Sequence, residues 1–150
     1  MFVPLLLISP AANVPIVQVS VLDSEEPSAH FAMGRALAQL RESNIAIIGS
    51  GSASFHNLHS LASIGKSEFR DHNAEWSKAV NKAVEETDLA KREEIFRGWR
   101  SWPACNDMHP PSSGEHFMPL IVCAGAAGED AAKKYADNAI GLQMYSYYWV

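Results

Sequence analysis

Ile45-Ala46-Ile47-Ile48-Gly49 constrains the fold of this chain more than any other stretch. It is wholly apolar, too short for a buried helix, and stops at glycine. Such runs occur in the central strands of parallel sheets, where helices cover both faces and no polar side remains. The residues before it fit that reading. Residues 15–22 are rich in β-branched side chains and partly alternating, as suits a strand with one well-buried face. Asp23, Glu25, Glu26 and Pro27 then supply the acids and the proline of a helix start. Ala29, Ala32, Met33, Ala36, Leu37 and Leu40 recur at helical spacing and predict an amphipathic helix with one stripe on a sheet, ended by Ser43-Asn44. Strand, helix and strand in that order predict a right-handed crossover between parallel strands. The expected fold class is α/β, a mostly parallel central sheet flanked by helices.

Downstream, residues 49–60 read as a loop. Phe69, Trp76, Val80 and Val84 space as one helix face, and Thr87-Asp88 caps a second helix carrying Leu89, Ile95, Phe96 and Trp99. Pro103, Pro110, Pro111 and Gly114 make 101–114 a loop or turn region. Residues 115–127 predict a helix with Pro119 in its first turn, and 129–138 another short one. Residues 143–150, with three tyrosines and Trp149, read as a closing strand.

A chain of 150 residues that is 47% hydrophobic is enough for one packed domain. The formal charge of −5 argues against a nucleic-acid surface, which needs clustered Lys and Arg. Cys105 and Cys123 show no disulfide or zinc-ribbon spacing, so a reducing, cytoplasmic setting is expected. The apolar residues 1–8 lack a basic flank and are interrupted by Pro4, unlike a signal peptide. No stretch reaches the roughly 18 apolar residues of a membrane span.

His56 stands on the small-residue loop Gly49-Ser50-Gly51-Ser52-Ala53-Ser54-Phe55-His56, just past a predicted strand. Open α/β sheets place ligand crevices at that end of their strands, and an imidazole moves protons near neutral pH. A loop histidine bonded to its own backbone satisfies the same pattern. His116 opens a second apolar segment, where a buried imidazole needs backbone, water or a metal as partner. Glu115 beside it is either a supporting carboxylate or an exposed helix-start acid. His30, His59 and His72 sit in ordinary settings, solvated or structural. The aromatic end from Tyr145 to Trp149 either packs on a sheet or lines a pocket for a ring. Gly49-Ser50-Gly51 lacks the remainder of a phosphate-binding loop, and no Gly-x-Ser-x-Gly elbow occurs.

Taken together, Phe2-Val3-Pro4-Leu5, Pro15-Ile16-Val17-Gln18-Val19-Ser20, Gly34-Arg35-Ala36-Leu37, Ile48-Gly49-Ser50-Gly51-Ser52, His56-Asn57-Leu58, His109-Pro110, Glu115-His116-Phe117-Met118-Pro119-Leu120 and Gly125-Ala126-Ala127 carry a resemblance. They resemble the class III extradiol ring-cleavage dioxygenases of LigB type, and most closely the DOPA 4,5-dioxygenase-like branch. The resemblance implies a mononuclear non-haem metal site, with Fe(II) expected and Zn(II) as the alternative. It implies that the chain acts on a catecholic aromatic substrate and O2, with His56 as acid/base and His116 as metal ligand. No substrate-binding residue is assigned.

The family's other metal-binding histidines lie upstream of the piece matching Phe2-Val3-Pro4-Leu5. The resemblance therefore implies that residues 1–150 are the C-terminal portion of an incomplete LigB-type catalytic domain. A site needs several ligands held together, so one histidine alone binds a divalent ion weakly. The alternative is a truncated, catalytically inactive remnant that acts as a binding or vestigial protein.

Overall fold

The computed structural model describes residues 7–11 and 13–150. Phe2-Val3-Pro4-Leu5 and most of the apolar start at residues 1–8 lie outside them. The elements in chain order are α1 (Pro27–Leu37), a 3-10 turn (Ala38–Ser43), a second 3-10 turn (Leu58–Ser63), α2 (Ser67–Glu85), α3 (Leu89–Arg97), a 3-10 turn (Trp99–Ser101), α4 (Cys105–Met108), α5 (Met118–Ala126), β1 (Lys133–Ala139) and β2 (Leu142–Tyr148). The chain is α/β. Among the described residues the sheet is two-stranded and antiparallel, not mostly parallel.

The core is built by aromatic side chains from α2, α3 and the segments that follow them. Along α2, Phe69, Asn73, Trp76, Ser77, Val80, Ala83 and Val84 turn inward as one stripe, as the spacing predicts. Asp88 caps α3, its carboxylate accepting from the Lys91 amide at 3.0 Å, and Phe96 and Trp99 are buried beyond it. The rings of Trp99 and Phe117 stack with centroids 4.8 Å apart, and Trp76 lies 5.2 Å from Phe117. Each such buried ring stabilises the fold by roughly 1.5–3 kcal/mol through area removed from water.

Helix α1 departs from the predicted stripe. His30, Phe31 and Gly34 are its buried residues, whereas Ala32 and Ala36 face outward. The reason is a close crossing with α5. A Cβ on Gly34 would fall on the Val122 carbonyl oxygen, and one on Gly125 would fall on that of Phe31. Two facing glycines let the backbones touch, and this crossing decides which side of α1 is inside. His30 is structural: Leu22 donates its amide to Nε2 at 3.1 Å, and Nδ1 meets the Glu26 carbonyl at 2.9 Å.

The expected strands at 15–22 and 45–49 are neither helix nor strand and have no ladder partner among the described residues. Val17 is 88% exposed and Ile48 70%, so neither segment has the two covered faces that its composition calls for. The helix expected at 129–138 is instead β1. Ile140 and Gly141 have φ of 51° and 82°, the signature of a two-residue hairpin turn, and they pair Ala139 with Leu142. Strand pairing with the tyrosine-rich β2 overrides the helix propensity of Ala131-Ala132-Lys133-Lys134. Helix α5 begins at Met118 rather than at 115, with Pro119 in its first turn as expected.

One buried cation binds two of these parts together. Arg92 on α3 is fully buried and donates from Nε to the Glu86 carbonyl at 2.6 Å. Its Nη1 reaches the carbonyls of Ala124 and Gly128 at 3.0 and 2.8 Å, and its Nη2 that of Asp130. A guanidinium at the C-terminal end of α5 is favoured by the helix dipole and satisfies carbonyls that have no helical donor.

Candidate active site

The small residues of 49–54 let this loop lie directly on the segment that carries His116. Ser52 donates its amide to the His116 carbonyl at 2.8 Å, and a Cβ on Gly51 would collide with that same oxygen. Ser52 Oγ closes the turn by donating to the Phe55 carbonyl at 2.7 Å. The next residues are fixed to α4: the His56 amide donates to Met108 at 2.8 Å and Asn57 Nδ2 to Asn106 at 3.0 Å.

The segment ahead of His116 is held from the other side. Glu25 accepts from Arg100 Nε at 2.9 Å and from the Gly114 amide at 2.7 Å. Arg100 also donates to the His109 carbonyl at 2.9 Å and lies 4.0 Å over the Trp99 ring. Both ends of the 109–114 turn thus hang on one arginine–glutamate pair.

These restraints bring the two predicted histidines together. The rings of His56 and His116 stack with centroids 3.5 Å apart at 27°. Glu115 joins them, its Oε1 3.7 Å from His116 Nε2, and the ligand atoms of all three lie within 4.8 Å of one another. Burial, then the neighbouring His116, pushes the His56 pKa below its ordinary value, while Glu115 pulls the other way. At neutral pH His56 is therefore a neutral imidazole able to accept a proton. The His116 imidazole and the Glu115 carboxylate, with His56 beside them, are donors of a kind suited to a non-haem divalent metal. Glu115 is exposed and both histidines are half-buried, which leaves access for it.

His116 lies in the wall of a cleft of about 570 Å3, together with Ile47, Leu120, Cys123, Tyr145 and Trp149. The aromatic end of the chain pairs in β2 and also lines the cleft. Cys123 is half-buried and Cys105 buried, both as free thiols, and burial raises the pKa of each. His59 is exposed, and His72 pairs with Asp107 at 2.7 Å and is not a member of the His56, Glu115 and His116 group. Sequence leaves the place of Glu115 open, its only signal being adjacency to His116, and nothing in the spacing singles out His109.

The sequence profile of the family described as the catalytic LigB subunit of aromatic ring-opening dioxygenase matches residues 1–147. The dioxygenase tasH of Hapsidospora irregularis is 46% identical over 99% of this chain and 48% of its own length. A 4,5-DOPA dioxygenase extradiol of Beta vulgaris is 34% identical over 98% of this chain and 53% of its own. One from Escherichia coli strain K12 is 30% identical over 78% of this chain and 42% of its own. The chain spans about half the length of the curated relatives it matches. No solved structure matches it. With the match running through both histidine segments, the chain belongs to the LigB family of aromatic ring-opening dioxygenases.

Proposed function

We propose that residues 1–150 form the C-terminal portion of a catalytic domain that opens the ring of a catecholic substrate with O2, beside the diol. The observation that carries this reading is the stacked pair His56 and His116, with Glu115 against it, at the edge of the cleft. His116, supported by Glu115, is the metal ligand this chain contributes. His56 is the acid/base group. A bound metal, Fe(II) first and Zn(II) second, would hold the catechol oxygens and supply the chemistry of O2.

The chain's own residues do the rest. Neutral His56 accepts a proton from a catechol hydroxyl on a ring nitrogen and returns it as the ring opens, so the proton count closes on one side chain. Both oxygen atoms of O2 end in the product, a muconic semialdehyde-type acid, and no external reductant is consumed. Tyr145, Trp149 and Leu120 give the cleft an apolar wall for the ring. In this reading the exposed segments 15–22 and 45–49 are strands of a parallel sheet completed by further polypeptide. Their β-branched composition and exposed faces support that. The DOPA named for several relatives marks catechols bearing an amino-acid side chain as the substrate class to try first. The free thiols of Cys105 and Cys123 favour a cytoplasmic setting. Among the described residues no helix is long and apolar enough to cross a membrane.

The test is anaerobic loading with Fe(II), then O2 uptake with a catechol present. Ring opening by a full-length version in which residues 1–150 are joined to the upstream half of the domain, abolished in His56→Ala with metal retained and in His116→Ala with metal lost, is the expected result. Normal turnover by His56→Ala would overturn the acid/base role. Catechol binding with no O2 consumption would instead favour the inactive binding protein.

A further inference from the structure

The Ala53 carbonyl, on the loop that carries His56, is approached by two ring nitrogens from the core. Trp76 Nε1 donates to it at 2.8 Å, and His109 Nε2 lies 3.5 Å away. His109 is fully buried, ringed by Trp76, Trp99 and Phe117 at centroid distances of 5.2, 6.2 and 5.2 Å. With Nε2–H turned to Ala53, Nδ1 is a bare acceptor, and it has no hydrogen-bond partner among the described residues. A buried acceptor without a donor costs free energy that a phenyl ring in the same aromatic pocket would not. Histidine at this place is therefore poor packing, and its one polar contact is on the His56 loop.

Position makes that contact consequential. The chain on either side of the His109 ring holds both halves of the site. The Met108 carbonyl accepts the His56 amide at 2.8 Å, and the His109 carbonyl accepts Arg100 at 2.9 Å, at the start of the turn leading to His116. We propose that His109, with Trp76, is a positioning residue that sets the His56 loop against His116 by holding the Ala53 carbonyl. The role rests on the reading of His56 and His116 as one centre. It lies a step behind that centre, acting through the Ala53 carbonyl.

A merely structural residue would lower stability and site order together. The clamp predicts that they separate. In His109→Phe the thermal midpoint is unchanged or higher, while amide hydrogen exchange across residues 52–57 quickens at least tenfold and that of α2 does not. Zn(II) affinity of the chain, read by competition with a chromogenic chelator, falls about tenfold in the same variant. His109→Gln, which keeps a donor near Nε2, restores both readouts towards the parent. Unchanged exchange at 52–57 in His109→Phe overturns the proposal, and so does a lowered midpoint with exchange raised throughout. If His109→Phe does not fold, Trp76→Phe is read by the same exchange measurement, since it removes the other donor to that oxygen. Failure of the parent chain to bind Zn(II) counts against the metal reading alone, because the exchange measurement needs no metal.

Discussion

The amide of Ser52 donates to the carbonyl of His116 at 2.8 Å, so two segments far apart in the chain share one backbone bond at the candidate active site. The contact exists because Gly51 has no side chain to strike that oxygen. Gly51→Val is expected to push the loop off the His116 segment. Metal affinity should fall about tenfold or more, by analogy with loss of a residue that supports a ligand. Chelator competition on the folded variant reads this, and an unchanged affinity would show that the loop contact does not position His116.

Acidification should weaken the fold before carboxylate chemistry enters. Burial holds the His109 imidazole at a pKa of about 4, below the 6.5 of an exposed ring. A folded-state pKa below the unfolded one means that the unfolded chain binds the proton more readily. The contribution is therefore complete above pH 6.5 and is lost as pH falls towards 4. The full loss is on the order of 3 kcal/mol, one pKa unit being worth about 1.4 kcal/mol. Thermal midpoints measured from pH 7 to 4 should fall accordingly. The fall should flatten in His109→Phe, and an equally steep profile there would assign it to other groups.

The depressed pKa of His56 also sets a kinetic expectation. In any assembly that opens a catechol ring, the acidic limb of the rate profile should fall below pH 6.5, because His56 stays neutral beneath the ordinary histidine value. A limb centred above 6.5 would remove His56 as the base.

Arg92 offers the sharpest stability test. Methionine fills much of the same space and donates nothing, so Arg92→Met leaves the carbonyls of Glu86, Ala124, Gly128 and Asp130 without this donor. The expected loss is about 3 kcal/mol, given the cost of stranding buried acceptors. Chemical denaturation measures it, and a loss under about 1 kcal/mol would mean that water reaches these carbonyls.

The two histidines were legible because each stands out chemically from its surroundings: His56 among small residues, His116 at the head of an apolar run. Their convergence was not legible from spacing, since it depends on Gly51, Ser52 and the α4 turn coming together in three dimensions. The α2 stripe and the Asp88 cap follow from local periodicity and local hydrogen bonding, which a sequence displays directly. The hairpin at β1 was missed because Ile140-Gly141 is a less familiar two-residue turn than Asn-Gly, while the alanines before it favour a helix. The buried side of α1 was missed for another reason. Its partner is a glycine pair shared with α5, and hydrophobic spacing carries no trace of a backbone contact made where side chains are absent.

Residues 15–22 and 45–49 have no ladder partner among the described residues, and Val17, Val19, Ile45 and Ile48 are exposed. A strand added there would cover exposed apolar side chains and pair backbone that lacks a ladder, so association at these stretches is favoured. What covers these two stretches therefore matters as much to the fate of this polypeptide as anything within its cleft.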